Sequence, residues 1–226
     1  MSADFASFGV SRIIRLSWTI PACGLWVADV ATANELPLPA VATLQVGNLA
    51  MVGAVFRQGN VFGRTEARIV GGFGGWSKAL SPRGYSLPFG VTKSMVLQDA
   101  ALEAGELVSV VLDGSLGTHW ARPTDTRTGK CPAGRVLRAV AGTSWWVDAT
   151  GTVQVAPRVP STVVPLFDVV EWDAAGGIFE LAAEDVASWQ PGATFVSAQV
   201  PTLQTIAAVR HVVDNTGRHR MRVVVQ

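Results

Sequence analysis

The chain has 226 residues, of which 49% are apolar and only 15% charged, with a formal net charge of +1. That length suffices for one large or two to three small domains with a real core. Charge so sparse and balanced argues against the concentrated basic face that nucleic acid or an anionic membrane demands. It also suggests that some apolar surface is shared with partner subunits.

The first third reads as strands. Arg12 and Arg15 precede an apolar run over residues 16–30, and Ala31-Thr32-Ala33 behind it imitates a secretion signal. Pro21, Gly24 and Asp29 break that run, however, and Ile14, Leu16, Trp18 and Ile20 alternate with Arg15, Ser17 and Thr19. A two-residue period marks a strand with one buried face. No stretch is apolar for long enough to span a bilayer as a helix. Residues 12–20 and 25–30 form a hairpin about the turn at 21–24, and residues 42–46 and 49–56 form another about Gly47-Asn48. Residues 67–70 then lead into Gly71-Gly72-Phe73-Gly74-Gly75-Trp76. Glycines at such density permit a sharp turn or a close backbone approach. A phosphate loop would need a helix immediately after them, and Pro82 and Gly84 forbid one. A packed strand exit anchored by Phe73 and Trp76 is the better expectation.

The middle changes character. Thr92 can cap a helix over residues 93–104, with Val96, Ala100 and Ala104 on one stripe and Gly105 as its stop. A second helix is expected over 132–141, with Val136, Leu137 and Val140 on one face and Gly142 at its end. Trp145-Trp146-Val147 and Val153-Gln154-Val155 then flank a glycine turn as a hairpin. Two prolines punctuate a crossover at 158–165. Strands return at 167–172, 178–181, 194–197, 204–213 and 220–225, the last two joined at Asn215-Thr216-Gly217. The fold class is therefore mainly β with a small α+β insert. Two small β-barrel domains, residues 1–88 and 159–226, flank a helix-helix-hairpin region at 89–158.

Chemistry finds little footing. Cys131, His119 and Asp125 share a polar neighbourhood without a local signature for a thiol nucleophile. His211 and His219 face each other across a hairpin but lack a third metal ligand. Glu171 with Asp173, and Glu184 with Asp185, are carboxylate pairs of the kind usually found solvated. Cys23 and Cys131 are expected as reduced thiols. Seven of the tryptophans (26, 76, 120, 145, 146, 172 and 189) could in principle form a sugar-stacking platform, but core and interface packing suits them better. No catalytic residue, metal or cofactor is expected.

The order of these motifs carries a resemblance. A barrel is followed by Arg68-Ile69-Val70-Gly71-Gly72-Phe73-Gly74-Gly75-Trp76 with Tyr85, a helix ending in Ala104-Gly105-Glu106, and the Trp120-Ala121-Arg122 loop. A second helix, the 145–153 hairpin and a β-rich tail containing Ile206 and Val209-Arg210-His211 complete the series. This resembles the baseplate hub proteins of tailed bacteriophages and of prophage-derived tail machines. The resemblance implies two tail-tube-like barrels side by side in a homotrimer, which adapts a six-fold tube or distal tail protein to a three-fold spike or central fibre. It implies a structural protein of the virion tail, made in the host cytoplasm, with no enzyme activity and no stable nucleic-acid binding beyond passage of DNA through a lumen. Phe73, Trp76, Trp120, Arg210, His211, Arg220 and Arg222 are its candidate interface or lumen residues. Leu16, Trp18, Val209 and Val223 are expected in the cores. The competing expectation is a carbohydrate-binding, receptor-recognition tail module, with a hydrolase centred on Cys131 and His119 third.

Overall fold

The computed structural model describes residues 5–109, 114–163, 169–173, 175–181, 185–197 and 201–225. Six strands close a barrel: β1 (Ala6–Phe8), β2 (Ser11–Pro21), β3 (Val27–Thr32), β4 (Val41–Val46), β5 (Leu49–Val61) and β6 (Arg64–Gly71). Their order is β1-β4-β5-β6-β3-β2. Closure falls to β1, which pairs with both β2 (Phe8 opposite Ser11) and β4 (Phe8 opposite Leu44). The period-2 pattern of β2 buries Leu16, Trp18 and Ile20 as expected. At its start Ile13, not Ile14, points inward, because a bulge between Ile13 and Arg15 shifts the pleat by one residue. Gly47 supplies the positive φ of 57° at the tip of the β4–β5 hairpin.

The barrel core is built around indoles. Trp18 and Trp26 meet edge to face at 5.3 Å, a geometry that the ring quadrupoles favour. Trp26 fits because Gly53 and Gly71, directly opposite each other on β5 and β6, leave a slot for it. A Cβ on Gly71 would stand 2.6 Å from the indole Nε1.

Beyond the barrel come β7 (Val169–Asp173), β8 (Ile178–Leu181), β9 (Thr194–Phe195), β10 (Gln204–Val213) and β11 (His219–Val225). One edge of β2 is divided between two partners. Its first residues pair with β1 to close the barrel, and from Leu16 onward the same edge pairs with β10, Trp18 lying opposite His211. The sheet therefore leaves the barrel and continues through β10-β11-β8-β7, with β9 added to β10, so that eleven strands form one hydrogen-bonded surface among the described residues. These C-terminal strands bury their own core, including Phe179, Trp189, Phe195, Ile206, Val209, Met221 and Val223. The strand expected from residue 167 is described from Val169. Residues 164–168 and Glu184, which hold part of the expected crossover and one carboxylate of an expected pair, lie outside the described residues.

The insert caps the barrel end that carries the Gly71–Trp76 loop. Helix α1 (Lys93–Ala104) starts where Thr92 Oγ1 accepts from the Met95 N–H at 3.2 Å, and it stops at Gly105 with φ 74°. Helix α2 (Ala133–Ala141) begins just after Pro132 and buries Val136, Leu137 and Val140. Trp76, Leu97, Leu137 and Trp145 belong to the same apolar cluster as the barrel interior. The 146–154 hairpin is tied down by two backbone bonds: Gly24 N–H donates to the Trp145 carbonyl at 2.8 Å and Val52 N–H to the Ala149 carbonyl at 2.9 Å. The insert is thus packed on the barrel as part of one core. Among the described residues, no helix is long and apolar enough to cross a membrane.

Candidate functional site

The glycine loop does cradle an anion, and the anion comes from the chain itself. Glu106, two residues beyond α1, is 6% exposed, and its carboxylate accepts from the N–H groups of Phe73 (3.1 Å), Gly75 and Trp76 (3.3 Å). Successive amides of this kind make a concave nest for negative charge. Burial pushes the Glu106 carboxyl upward, while those three amides and Lys78 pull it back. A Cβ at Gly75 would collide with the Ala104 carbonyl, so only glycine lets the loop approach the helix end. With the nest filled from inside, no phosphate can occupy it. The sole hint in the sequence was the acidic residue directly after the helix stop.

A second clasp holds the insert. The Arg122 side chain is fully buried and donates to Asp99 (2.7 Å), Glu103 (2.5 Å), the Tyr85 hydroxyl (3.0 Å) and the Ser81 carbonyl (3.1 Å). Glu103 is held down to about 2, first by the Ser81 amide and then by Arg122. Four acceptors around one guanidinium repay much of the cost of burying it. Their work is to fix the strand His119–Ala121, which Arg122 directly follows, to α1.

The residues weighed for chemistry are scattered. Cys131 is fully buried in a short pairing with Leu80, and burial pushes its thiol up. His119 is exposed opposite Ser86, and Asp125 caps its own turn by accepting from Arg127 and Thr128. Both cysteines are free. His211 Nδ1 and His219 Nε2 do meet, at 3.3 Å, against Trp18 and Phe5. Burial pushes His211 down to about 3, helped by the His219 charge, and pushes His219 down to about 4. Two neutral imidazoles sharing one proton are core, and no group of three or more metal-ligating residues occurs among the described residues. Asp173 caps a turn at Ala175 and Gly176. Of the eight tryptophans, only Trp172 is exposed, at 44%, and it stacks on Phe179.

The candidate interface residues separate into two groups. Trp76 and His211 are buried inside the subunit, and Phe73 and Trp120 are half-buried, Trp120 against Tyr85. Arg210, Arg220 and Arg222 stand on the outer face of the continuous sheet. Arg220 and Arg222 both grip Glu180, at 2.6 and 3.0 Å, and Arg210 donates to Ser17 Oγ at 3.0 Å. The same face continues across the barrel with the bidentate Arg68–Asp29 pair, both bonds 2.8 Å, and with Arg15–Glu66. There it opens into a groove of about 640 Å³ beside Arg57, which lies directly opposite Arg68. At the barrel end opposite the insert, the tip of the β5–β6 hairpin holds Phe62 99% exposed at φ 48°. Val10, in the neighbouring turn, is also fully exposed.

Comparison with solved structures identifies the architecture. The chain has the fold of phage tail proteins. It superposes on the E. coli c3393 protein, a type VI secretion system component with structural similarity to the T4 tail proteins gp27 and gp5. The TM-score is 0.67 at 8% identity, over 99% of this chain and 75% of that one. It matches a tail protein from Neisseria meningitidis MC58 (TM-score 0.64, 12% identity, 98% and 95% covered). The 43 kDa tail protein of prophage MuSo2 from Shewanella oneidensis is similar (0.63, 9%, 94% and 93%). No protein-family model matches, and no curated protein matches by sequence. At identities of 8–12% the likeness is one of fold.

Proposed function

We propose that this chain is a structural subunit of a tail baseplate, a homotrimeric hub joining a six-fold tail tube or distal tail protein to a three-fold spike or central fibre. The observation that carries the reading is the single sheet running out of the barrel through β2 into β10 and β11. Joining two β units rigidly, edge to edge, is what a ring with two barrels per subunit needs, since three such subunits present six similar units. In this reading residues 1–88 and 159–226 are the two ring units, and 89–158 is the insert clasped by Glu106 and Arg122. The polar sheet face bearing Arg68, Arg210, Arg220 and Arg222 turns toward neighbours or lumen. Phe62 and Val10 reach a vertical neighbour, because fully exposed apolar tips contribute nothing to the subunit's own core. The site of action is the virion tail, and no catalysis is involved.

Light scattering on the purified chain, alone and mixed with its tail-tube protein, tests this. A trimer in either condition, and rings on tube ends in electron micrographs, are expected. A chain that stays monomeric in both conditions refutes the hub.

A further inference from the structure

Among the described residues, Arg158 meets no anion. Its guanidinium lies over the Trp146 ring at 4.2 Å, Nη2 donates to the Pro21 carbonyl at 3.3 Å, and Nε is buried without an acceptor. Trp146 Nε1, beside it, is also buried and unpartnered. Other buried or half-buried arginines are treated differently: Arg122 has two carboxylates and Arg68 has one, bidentate. Arg158 makes no ion pair with any described residue, and burial alone pushes it down to about 10. Arg158 is half-buried, and a guanidinium partly withdrawn from water without a counter-charge is disfavoured, so the position favours a compensating group.

The surroundings have room for one. Arg158 lines a cavity of about 390 Å³ where the β2–β3 turn, the insert and β10 meet, with Cys23, Thr143, Ser144, Thr205 and Gly192 also on its wall. Gly192, at φ 88°, keeps the space: a Cβ there would stand 2.9 Å from the Arg158 Cβ. Hydroxyls and a guanidinium line this wall, and among the described residues no carboxylate does.

We propose that this cavity is an anion site that takes a carboxylate, with Arg158 as its cationic anchor and the hydroxyls of Thr143, Ser144 and Thr205 as further donors. A planar carboxylate matches the guanidinium fork and supplies the acceptors and charge that the site lacks. It arrives either on a small dicarboxylate or on an acidic side chain of a neighbouring polypeptide. The inference stands whether or not the chain forms a hub.

The test is titration of the full-length chain with sodium glutarate, and separately with the blocked peptide acetyl-Gly-Glu-Gly-amide, against sodium chloride of equal ionic strength. Tm and tryptophan fluorescence are followed together. At tenfold excess over Kd, ligand binding raises the folded-to-unfolded ratio about elevenfold, equivalent to a Tm rise of about 3–6 °C. Saturation by glutarate identifies a small-molecule site, and saturation by the peptide alone identifies a neighbour's side chain. Arg158→Met abolishes either response, and Arg158→Lys weakens it about tenfold by losing the planar fork. If Arg158→Met does not fold, Ser144→Ala at the cavity wall is expected to weaken binding while leaving the ligand-free Tm unchanged. Wild-type protein that responds to neither probe beyond the chloride control, or an Arg158→Met variant that responds like wild type, overturns the proposal.

Discussion

Replacing Glu106 tests whether the glycine loop is held by its internal anion. The wild-type carboxylate satisfies three amides, those of Phe73, Gly75 and Trp76, from a position 6% exposed. In Glu106→Ala all three lose their acceptor. Each buried, unsatisfied donor costs about 1–3 kcal/mol, and water entering the vacated space recovers part of that, so a net loss of about 3–5 kcal/mol is expected. Glu106→Gln separates hydrogen bonding from shape. Its carbonyl in the Oε1 position can serve Gly75 and Trp76 and keeps the 3.2 Å bond from Phe73, but its amide group replaces the oxygen 3.1 Å from the same Phe73 N–H, donor against donor, for a loss of about 1 kcal/mol. Urea unfolding followed by tryptophan fluorescence reads both, since Trp76 sits in the loop. The order wild type, Gln, Ala is the expected outcome. An alanine variant within about 0.5 kcal/mol of wild type would refute the claim that the nest needs its anion.

Gly71→Ala forces the new methyl against Trp26, and overpacking of this kind is expected to cost about 1–3 kcal/mol by the same urea assay. Phe62→Asn at the hairpin tip relieves a left-handed bulky residue and should raise stability by up to about 1 kcal/mol while weakening co-assembly with the tube protein; unchanged co-assembly in a pull-down would remove Phe62 from the interface. His211 and His219 both titrate lower folded than unfolded, so their contribution is complete above pH 6.5 and is lost as pH falls toward 4 and 3. For His211 alone, acidification from pH 7.5 to 5.5 should cost about 1 kcal/mol, and His211→Phe should flatten that slope; parallel slopes in the two proteins would contradict the buried-imidazole account.

Much of the fold could be read from pattern because local signals agreed with tertiary demands. Thr92 and Gly105 bound α1 where capping chemistry says they should, and the two ends of β10 fall where alternation and the turn at Asn215-Thr216-Gly217 place them. Three features escaped. Strand β1 is three residues long, too short for any period to register, yet it closes the barrel. The bulge in β2 put Ile13 inside in place of Ile14, a change the residue types do not distinguish, since both are isoleucine. The sharing of β2 between two neighbours was also invisible, because a strand's sequence reports which face is buried and not which edges are paired.

The site was less legible for a different reason. Glycine runs advertise backbone amides free to converge, and the usual inference supplies the anion from outside the chain. Here no α-helix follows the glycines, only the 3-10 turn Gly75–Ser77, and the same amides form an anion nest in want of a partner. That partner stands thirty residues away at Glu106, directly after a helix stop, where a charged residue reads as ordinary solvent-exposed punctuation. Arg122 and Arg158 make the complementary case. Each lies in a polar or proline-flanked loop, and nothing local tells a surface arginine from a buried one. Only the packing shows that Arg122 has its carboxylates while Arg158 meets none among the described residues, so the same residue type closes a finished clasp at one position and, in our proposal, anchors an anion site at the other.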